Sequence, residues 1–309
     1  MPSAARESPT LAPRPNPSPA ERREAYLLLG VSSFFLALNH VIGRGVHAEV
    51  PPVGLSFWRW TIAAVVLLPV VLIDWRASLA AYRAEWRAFV LTGALVVGAT
   101  TLLMVALNFT SATNTALINA TQPVLTVLLS RLVYGVRFNA TQALGILIAL
   151  AGVLVMVARG SWSTFAGLDF QIGDLIALVA MFGLAGYAIR FVRIPLQLPA
   201  ARALFPMVVA GSLLLLPFYL LESLLYKPVP ITQTSVSAIL SIALLVSCAA
   251  MLMWNTGNRL VGANRASIFI NLVPVFGVLL AVVFLGETFE LWHLAGMLMI
   301  AAGVLLVVR

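Results

Sequence analysis

Between residues 26 and 308 the chain is a succession of apolar runs, 17 to 24 residues long, separated by short stretches that hold most of the prolines, glycines and arginines. An α-helix needs about 20 apolar residues to cross the hydrocarbon core of a bilayer. Reading between the breakers predicts ten spans: Tyr26 to Ile42, Gly54 to Ile73, Arg87 to Phe109, Thr113 to Val133, Ala140 to Val157, Gln171 to Val192, Ala203 to Leu221, Thr234 to Gly257, Ala263 to Leu285 and Leu291 to Val308. The shorter of these require some tilt or local thinning of the bilayer.

The runs repeat. Residues 112 to 157 and 263 to 308, aligned without a gap at an offset of 151, share 15 identities in 46 positions. Apolar bias would match some Leu and Val. It would not bring Pro123, Gly135 and Gly145 into register with Pro274, Gly286 and Gly296, or match Ala151-Gly152-Val153-Leu154 to Ala302-Gly303-Val304-Leu305. The chain is therefore expected to hold two copies of a five-span unit, residues 25–158 and 171–309. Because five is odd, the second copy enters the membrane from the opposite side. The expected fold is an all-α membrane protein of ten transmembrane helices in two inverted five-helix repeats, the architecture of alternating-access carriers.

Composition agrees: 61% hydrophobic, 10% charged and a mean hydropathy of +1.01, against roughly 45–50% apolar and about 25% charged in soluble domains. Residues 1–24 differ, with six prolines, four arginines, three glutamates and no apolar run. They read as a disordered cytoplasmic tail without the order of a signal peptide. The pI near 10.5 raises nucleic acid as a partner, but the basic residues follow topology instead. Fifteen of the 19 lie in the tail, at Arg309 or in alternate short loops (Arg76, Arg83, Arg87, Arg131, Arg137, Arg190, Arg193, Arg202, Arg259, Arg265), and three (Arg44, Arg159, Lys227) lie in the other loops. Positive residues stay inside. Both termini are therefore expected in the cytoplasm, with 159–170 as an outer linker. The single cysteine, Cys248, excludes an intramolecular disulfide, and His40, His47 and His293 have no metal-ligand spacing. No cofactor is expected.

In hydrocarbon, polar side chains must face protein or a water-filled path. In span 4, Ser111, Thr115, Asn119, Gln122 and Thr126 follow at steps of 4, 4, 3 and 4, one helical face. Such a stripe either lines a cavity or joins helices by hydrogen bonds. Span 9 carries Asn264, Ser267 and Asn271 ahead of Pro274. Pro123 and Pro274 each free a carbonyl one turn earlier, which kinks the helix or offers a ligand oxygen. Span 1 offers Asn39 and His40, with Tyr187 of span 6 near the place of His40 under the inverted alignment. His40 titrates near neutrality in its reference state, so it either takes a proton in a cycle or is simply hydrogen-bonded. Arg59, between Trp58 and Trp60, either grips a carboxylate or snorkels to an aromatic belt. In span 8, Ser237, Ser241, Cys248 and Asn255 lie on or near one face, and Trp254 either stacks on substrate or anchors at the interface. Asp174 and Arg190 read as anchors. Gly145 with Ala149, and Gly296 with Gly303, read as close helix packing.

Asn39-His40-Val41-Ile42-Gly43-Arg44, Phe57-Trp58-Arg59-Trp60, Ala116 to Pro123 and Phe284-Leu285-Gly286-Glu287 together resemble EamA-type members of the drug/metabolite transporter superfamily, over Tyr26 to Arg309. The resemblance implies a ten-helix inverted-repeat carrier of the bacterial inner membrane that moves small organic solutes, often outward. It also implies a central cavity walled by the first four helices of each repeat, with the fifth set aside. The glycine-acid pair occurs in one copy only, since Gly135 is followed by Val136. No lysine lies in a span, which argues against a doubly anionic phosphate.

The resulting expectation is a carrier exporting small neutral or zwitterionic metabolites, amino acids or related compounds. The expected partners are a small-molecule substrate and the lipid bilayer. The alternatives are a broad-specificity drug or other small-metabolite carrier, and a non-transporting membrane scaffold. An enzyme is not expected, because HExxH, GxSxG and paired intramembrane aspartates are absent from the sequence. The sequence sets no oligomeric state and is compatible with a monomer.

Overall fold

The computed structural model describes residues 17–46, 49–158, 170–194, 198–285 and 288–308. Most of the expected tail and outer linker, the Gly286-Glu287 pair and the side chain of His40 lie outside these. Regular structure among the described residues is entirely helical: α1 (Pro19–Val46), α2 (Pro52–Leu72), α3 (Trp75–Ala84), α4 (Trp86–Ala106), α5 (Ala112–Asn119), α6 (Gln122–Tyr134), α7 (Ala140–Val157), α8 (Ile172–Phe191), α9 (Ala200–Leu225), α10 (Gln233–Val261), α11 (263–285) and α12 (Leu291–Val308). Nine stretches are long and apolar enough to cross a membrane among the described residues, counting α5 and α6 as the single stretch Asn114–Tyr134. The expected first span lies within α1, whose polar first turns extend seven residues before Tyr26.

Three departures from the expected helices are local. α3 was not anticipated. It is a ten-residue helix with Trp75 exposed and Ser78 buried, too short to span and patterned to lie along a membrane surface. Span 4 is not continuous, because Ala120 and Thr121 form a turn between α5 and α6. α10 contains a π-helical stretch, Ile242–Ala250, hidden in a run whose polar positions, Ser247 and Cys248, are adjacent and mark no pitch.

The helix contacts come in matched sets. α4 packs on α8 as α1 packs on α10, α4 on α9 as α2 on α10, and α5 and α6 on α8 as α11 on α1, while α2 meets α9 and α7 meets α12. Exchanging residues 25–158 with 171–309 returns these pairings. α7 and α12 form the most extensive of these contacts. A Cβ placed on Gly145 would lie 2.7 Å from the carbonyl oxygen of Gly303, and one on Gly152 2.7 Å from that of Gly296. The two helices therefore run antiparallel, backbone on backbone, at four glycines. Only glycine permits that approach, and in a bilayer such packing is the main source of helix association.

At the face where α2, α8 and α10 begin, carboxylates sit at the helix starts, where the helix dipole favours negative charge, and bind backbone N–H groups or the hydroxyls of the first turn. Glu222 of α9 accepts from the amides of Val53 (3.0 Å) and Gly54 (2.6 Å). Asp174 accepts from the Gln171 amide (2.9 Å), from Asn114 Nδ2 (2.9 Å) and from the Thr110 hydroxyl. Glu49 accepts from the hydroxyls of Thr232 (2.5 Å) and Ser235 (3.2 Å). At the opposite face Arg202 pairs with Asp74 at 2.8 Å, and the Tyr82 phenol donates to the Arg202 carbonyl at 2.6 Å. Burial pushes that phenol up to about 12, so it stays protonated and keeps donating across the physiological range. Each of these contacts except the local one between Gln171 and Asp174 joins the two halves of the chain.

Candidate functional site

Two helices are interrupted at equivalent points of the repeat. α5 ends at Asn119 and α6 starts at Gln122-Pro123. In α11 the chain runs Ala263–Ser267 as α-helix, Ile268–Asn271 as 3-10 helix, and then Leu272–Leu285 as α-helix with Pro274 in its first turn. Neither proline can donate to the carbonyl four residues back, that of Asn119 or Ile270, and each ring crowds that carbonyl. The breaks follow from that chemistry. Discontinuous membrane helices of this kind expose backbone and amide groups at the bilayer midplane.

Amides sit at the breaks. Asn271 is 1% exposed and neither its Oδ1 nor its Nδ2 has a partner. Asn119 is partly buried with its Oδ1 unpaired, and Gln122 is buried. An unsatisfied buried polar group costs about 1–3 kcal/mol, so these atoms are held at a loss unless something else binds them. The rest of the span 4 stripe is otherwise engaged. The Ser111 hydroxyl caps α5 by accepting from the Asn114 amide (3.0 Å), and Thr115 and Thr126 donate to the carbonyls of Ser111 (3.0 Å) and Gln122 (2.8 Å). The five residues do not share one straight helix face. In span 9, Asn264 lies in the first turn of α11 with its Oδ1 unpaired, and its carbonyl accepts from the buried Ser267 hydroxyl at 3.2 Å.

A second group lies between α8 and α10. The Tyr187 phenol donates to Asn255 Oδ1 at 2.7 Å, and both residues are buried. Asn255 Nδ2 has no partner. One turn on, Asn258 donates to the Ala188 carbonyl at 2.9 Å and leaves its own Oδ1 unpaired. Asn258 was not among the expected site residues, although its spacing of three from Asn255 placed it on the same face. Trp254 is 4% exposed within the main apolar core, so it is not at an interface. Ser237, by contrast, is exposed. The π-helical stretch between them changes the residues per turn and separates Ser237 from the face that Asn255 occupies. π-stretches recur at functional sites. This one has its last carbonyl, Ala250, bonded by Ser32 of α1 (2.9 Å) and its Cys248 Sγ 4.0 Å from the Ala63 carbonyl of α2.

The third group is Asn39 and Arg59. Arg59 Nη1 donates to Asn39 Oδ1 at 3.4 Å, and the guanidinium carbon lies 5.1 Å from the Trp60 ring centroid. At 2% exposure Arg59 is enclosed by protein. A membrane-embedded arginine costs roughly 2.5–3.5 kcal/mol even on the milder insertion scales. Its Nε and Nη2 have no partner among the described residues. Asp174, the anchor at the start of α8, is fully engaged as described above, and the described residues hold no cluster of metal-ligating side chains.

Comparison with known proteins decides what kind of molecule carries these groups. The model of the EamA-like transporter family matches residues 23–158 and again 171–309. The chain belongs to that family. As an EamA-like protein it is a multi-pass membrane protein of a transporter family. It is 28% identical over 289 residues to the uncharacterized transporter YyaM of Bacillus subtilis, covering 91% of this chain and 92% of that one. It is 30% identical over 195 residues, 61% of this chain and 64% of the other, to a probable amino-acid metabolite efflux pump of Salmonella typhimurium. A solved crystal structure superposes with a TM-score of 0.74 at 21% identity over 93% of this chain and 96% of its own, which shows a shared fold.

Proposed function

We propose that this EamA-like protein is a secondary transporter that exports small neutral or zwitterionic, partly apolar metabolites, amino acids or related compounds, across the bacterial inner membrane by alternating access. The observation that carries this reading is the pair of equivalent helix breaks with unpaired buried amides beside them. Groups held at a free-energy loss inside a membrane protein gain from a ligand that supplies partners. The surrounding chemistry is amide, hydroxyl and aromatic, suited to a zwitterion with an apolar side chain. The Salmonella relative described as a probable amino-acid metabolite efflux pump supports the same substrate class. A proton-coupled multidrug carrier would need a free buried carboxylate. The buried Asp174 is committed to Thr110, Asn114 and Gln171.

The mechanism is rocking of one five-helix unit against the other. The matched helix contacts and the antiparallel crossing of the equivalent helices α7 and α12 support two inverted repeats, 25–158 and 171–309, with α1 as the tenth span. α1 runs antiparallel to α10, with Ala25 beside Gly257 and Ser32 bonded to Ala250. In a Cys248→Ala background, a cysteine at Tyr226 should react with an impermeant thiol reagent added outside intact cells, and one at Ala140 should react only after lysis. The opposite pattern reverses the orientation proposed from the arginines.

Uptake of labelled amino acids into proteoliposomes tests the function directly. Asn119→Leu and Asn271→Leu should each lower transport about tenfold, the equivalent of one neutral hydrogen bond of about 1.4 kcal/mol, with membrane yield at or above native. Leucine removes the unsatisfied amide, so folding does not suffer. Native-rate transport by both variants would show that these amides serve helix packing.

A further inference from the structure

We propose that Arg59 and Asn39 form a subsite for the carboxylate of the transported molecule, so that this carrier takes compounds with one carboxylate. The inference rests on the transporter reading and narrows it. Arg59 is the eighth residue of α2, which places it about 10 Å along the axis from the start of the helix. It is enclosed rather than exposed, and no carboxylate pairs with it among the described residues. A buried cation without an anion is the costliest arrangement that a membrane protein can hold, and it persists where an anion arrives during function.

The geometry of the guanidinium says how the anion would bind. Of its nitrogens, Nη1 is engaged with Asn39 Oδ1, while Nε and Nη2 are unpaired and buried. Nε and Nη2 form one edge of the planar group, and their N–H bonds point in parallel. That edge matches the two oxygens of a carboxylate in a two-pronged contact. The guanidinium carbon lies 5.1 Å from the Trp60 ring centroid, and the Trp60 indole is itself fixed by donating to Thr100 Oγ1 at 3.2 Å. Asn39 turns its acceptor to the arginine, so what its amide has left to offer is donors, the correct sense for a second carboxylate contact. Arg259 also has unpaired Nε and Nη2, but it is only partly buried near the end of α10 and reaches the Leu198 carbonyl at 2.5 Å. In the second half, Ala203 to Tyr226 holds no basic residue. Among the described residues Arg59 is the one arginine that is fully enclosed, which points to one carboxylate per substrate and argues against dicarboxylates.

The test is thermal unfolding of the purified protein in detergent, in a chloride-free buffer. The ligands are amino acids, their N-acetyl derivatives, which keep the carboxylate and lose the ammonium, and their amides, which do the reverse. Members of the first two groups should raise the unfolding midpoint of the native protein, and the amides should not. Arg59→Met should lose this response, with apparent affinity about a hundredfold weaker, while its ligand-free midpoint stays at or above native because an unpaired buried charge is gone. Arg59→Lys, which keeps the charge without the two-pronged edge, should fall between. The inference is overturned if no carboxylate shifts the native midpoint, if amides act as well as acids, if chloride alone reproduces the shift, or if Arg59→Met fails to fold. Counterflow in proteoliposomes with the same panel separates the two readings. Carboxylate-dependent stabilisation without transport would retain the subsite and reject the carrier, and transport that ignores the carboxylate would retain the carrier and reject the subsite.

Discussion

Gly145→Ala and Gly152→Ala are expected to destabilise the protein, whereas Gly30→Ala is expected to stabilise it, although all three make the same chemical change in a helix. Alanine gains up to about 1 kcal/mol over glycine in helix propensity. At Gly30 nothing lies within 4 Å of the new methyl, so that gain is realised. At Gly145 and Gly152 the methyl meets a carbonyl oxygen of α12 at 2.7 Å, and that oxygen belongs to the backbone and cannot swing away. Separating two helices to admit it costs about 1–3 kcal/mol by the usual range for overpacking, more than the propensity gain. The thermal midpoints of the purified variants should therefore move in opposite directions, and leucine at Gly145 should abolish accumulation in the membrane. A Gly145→Ala protein as stable as Gly30→Ala would mean that the α7–α12 crossing is not a backbone contact.

What could be read from the sequence follows from which chemistry each feature depends on. The spans were legible because each is decided by the polarity of about 20 residues together. The pairing of α7 with α12 was only half legible. Gly145, Gly296 and Gly303 announced close packing, but spacing along one helix does not name the partner, and Gly152 found its role only when Gly296 was placed opposite. The π-helical stretch Ile242–Ala250 could not be read, because periodicity needs polar positions to mark the turns and this stretch has few. Arg59 shows the same limit from another side. Its sequence neighbourhood, Trp58-Arg59-Trp60, fits an interfacial arginine as well as an enclosed one, and what distinguishes them is the packing of the preceding helix, α1, whose Asn39 lies 20 residues before Arg59. The polar stripe of span 4 was legible as a pattern but overread, because a threonine in a helix can bond its own backbone. Thr115 and Thr126 do so, which leaves Asn119 and Gln122, whose longer amides can reach beyond the helix.

Pro123→Ala and Pro274→Ala should reduce transport while leaving the protein as stable as native or more so. Alanine restores the N–H that the carbonyls of Asn119 and Ile270 lack and removes the ring that crowds them, favouring a continuous helix by about 3 kcal/mol per site before tertiary packing answers. A bias of that size shifts a two-state population about a hundredfold. If the broken form presents Asn119 and Asn271 to the substrate, straightening the helix turns those amides toward their own backbone and withdraws them. Each single variant should then show a transport rate lower by about that factor at equal protein per vesicle, and the double variant a still lower one, together with a raised thermal midpoint. This combination separates a working break from a packing kink, since loss of a packing kink alone would leave the rate unchanged. Native-rate transport by the double variant would remove the helix breaks from the mechanism and leave the Tyr187–Asn255 pair and Arg59 as the groups that bind.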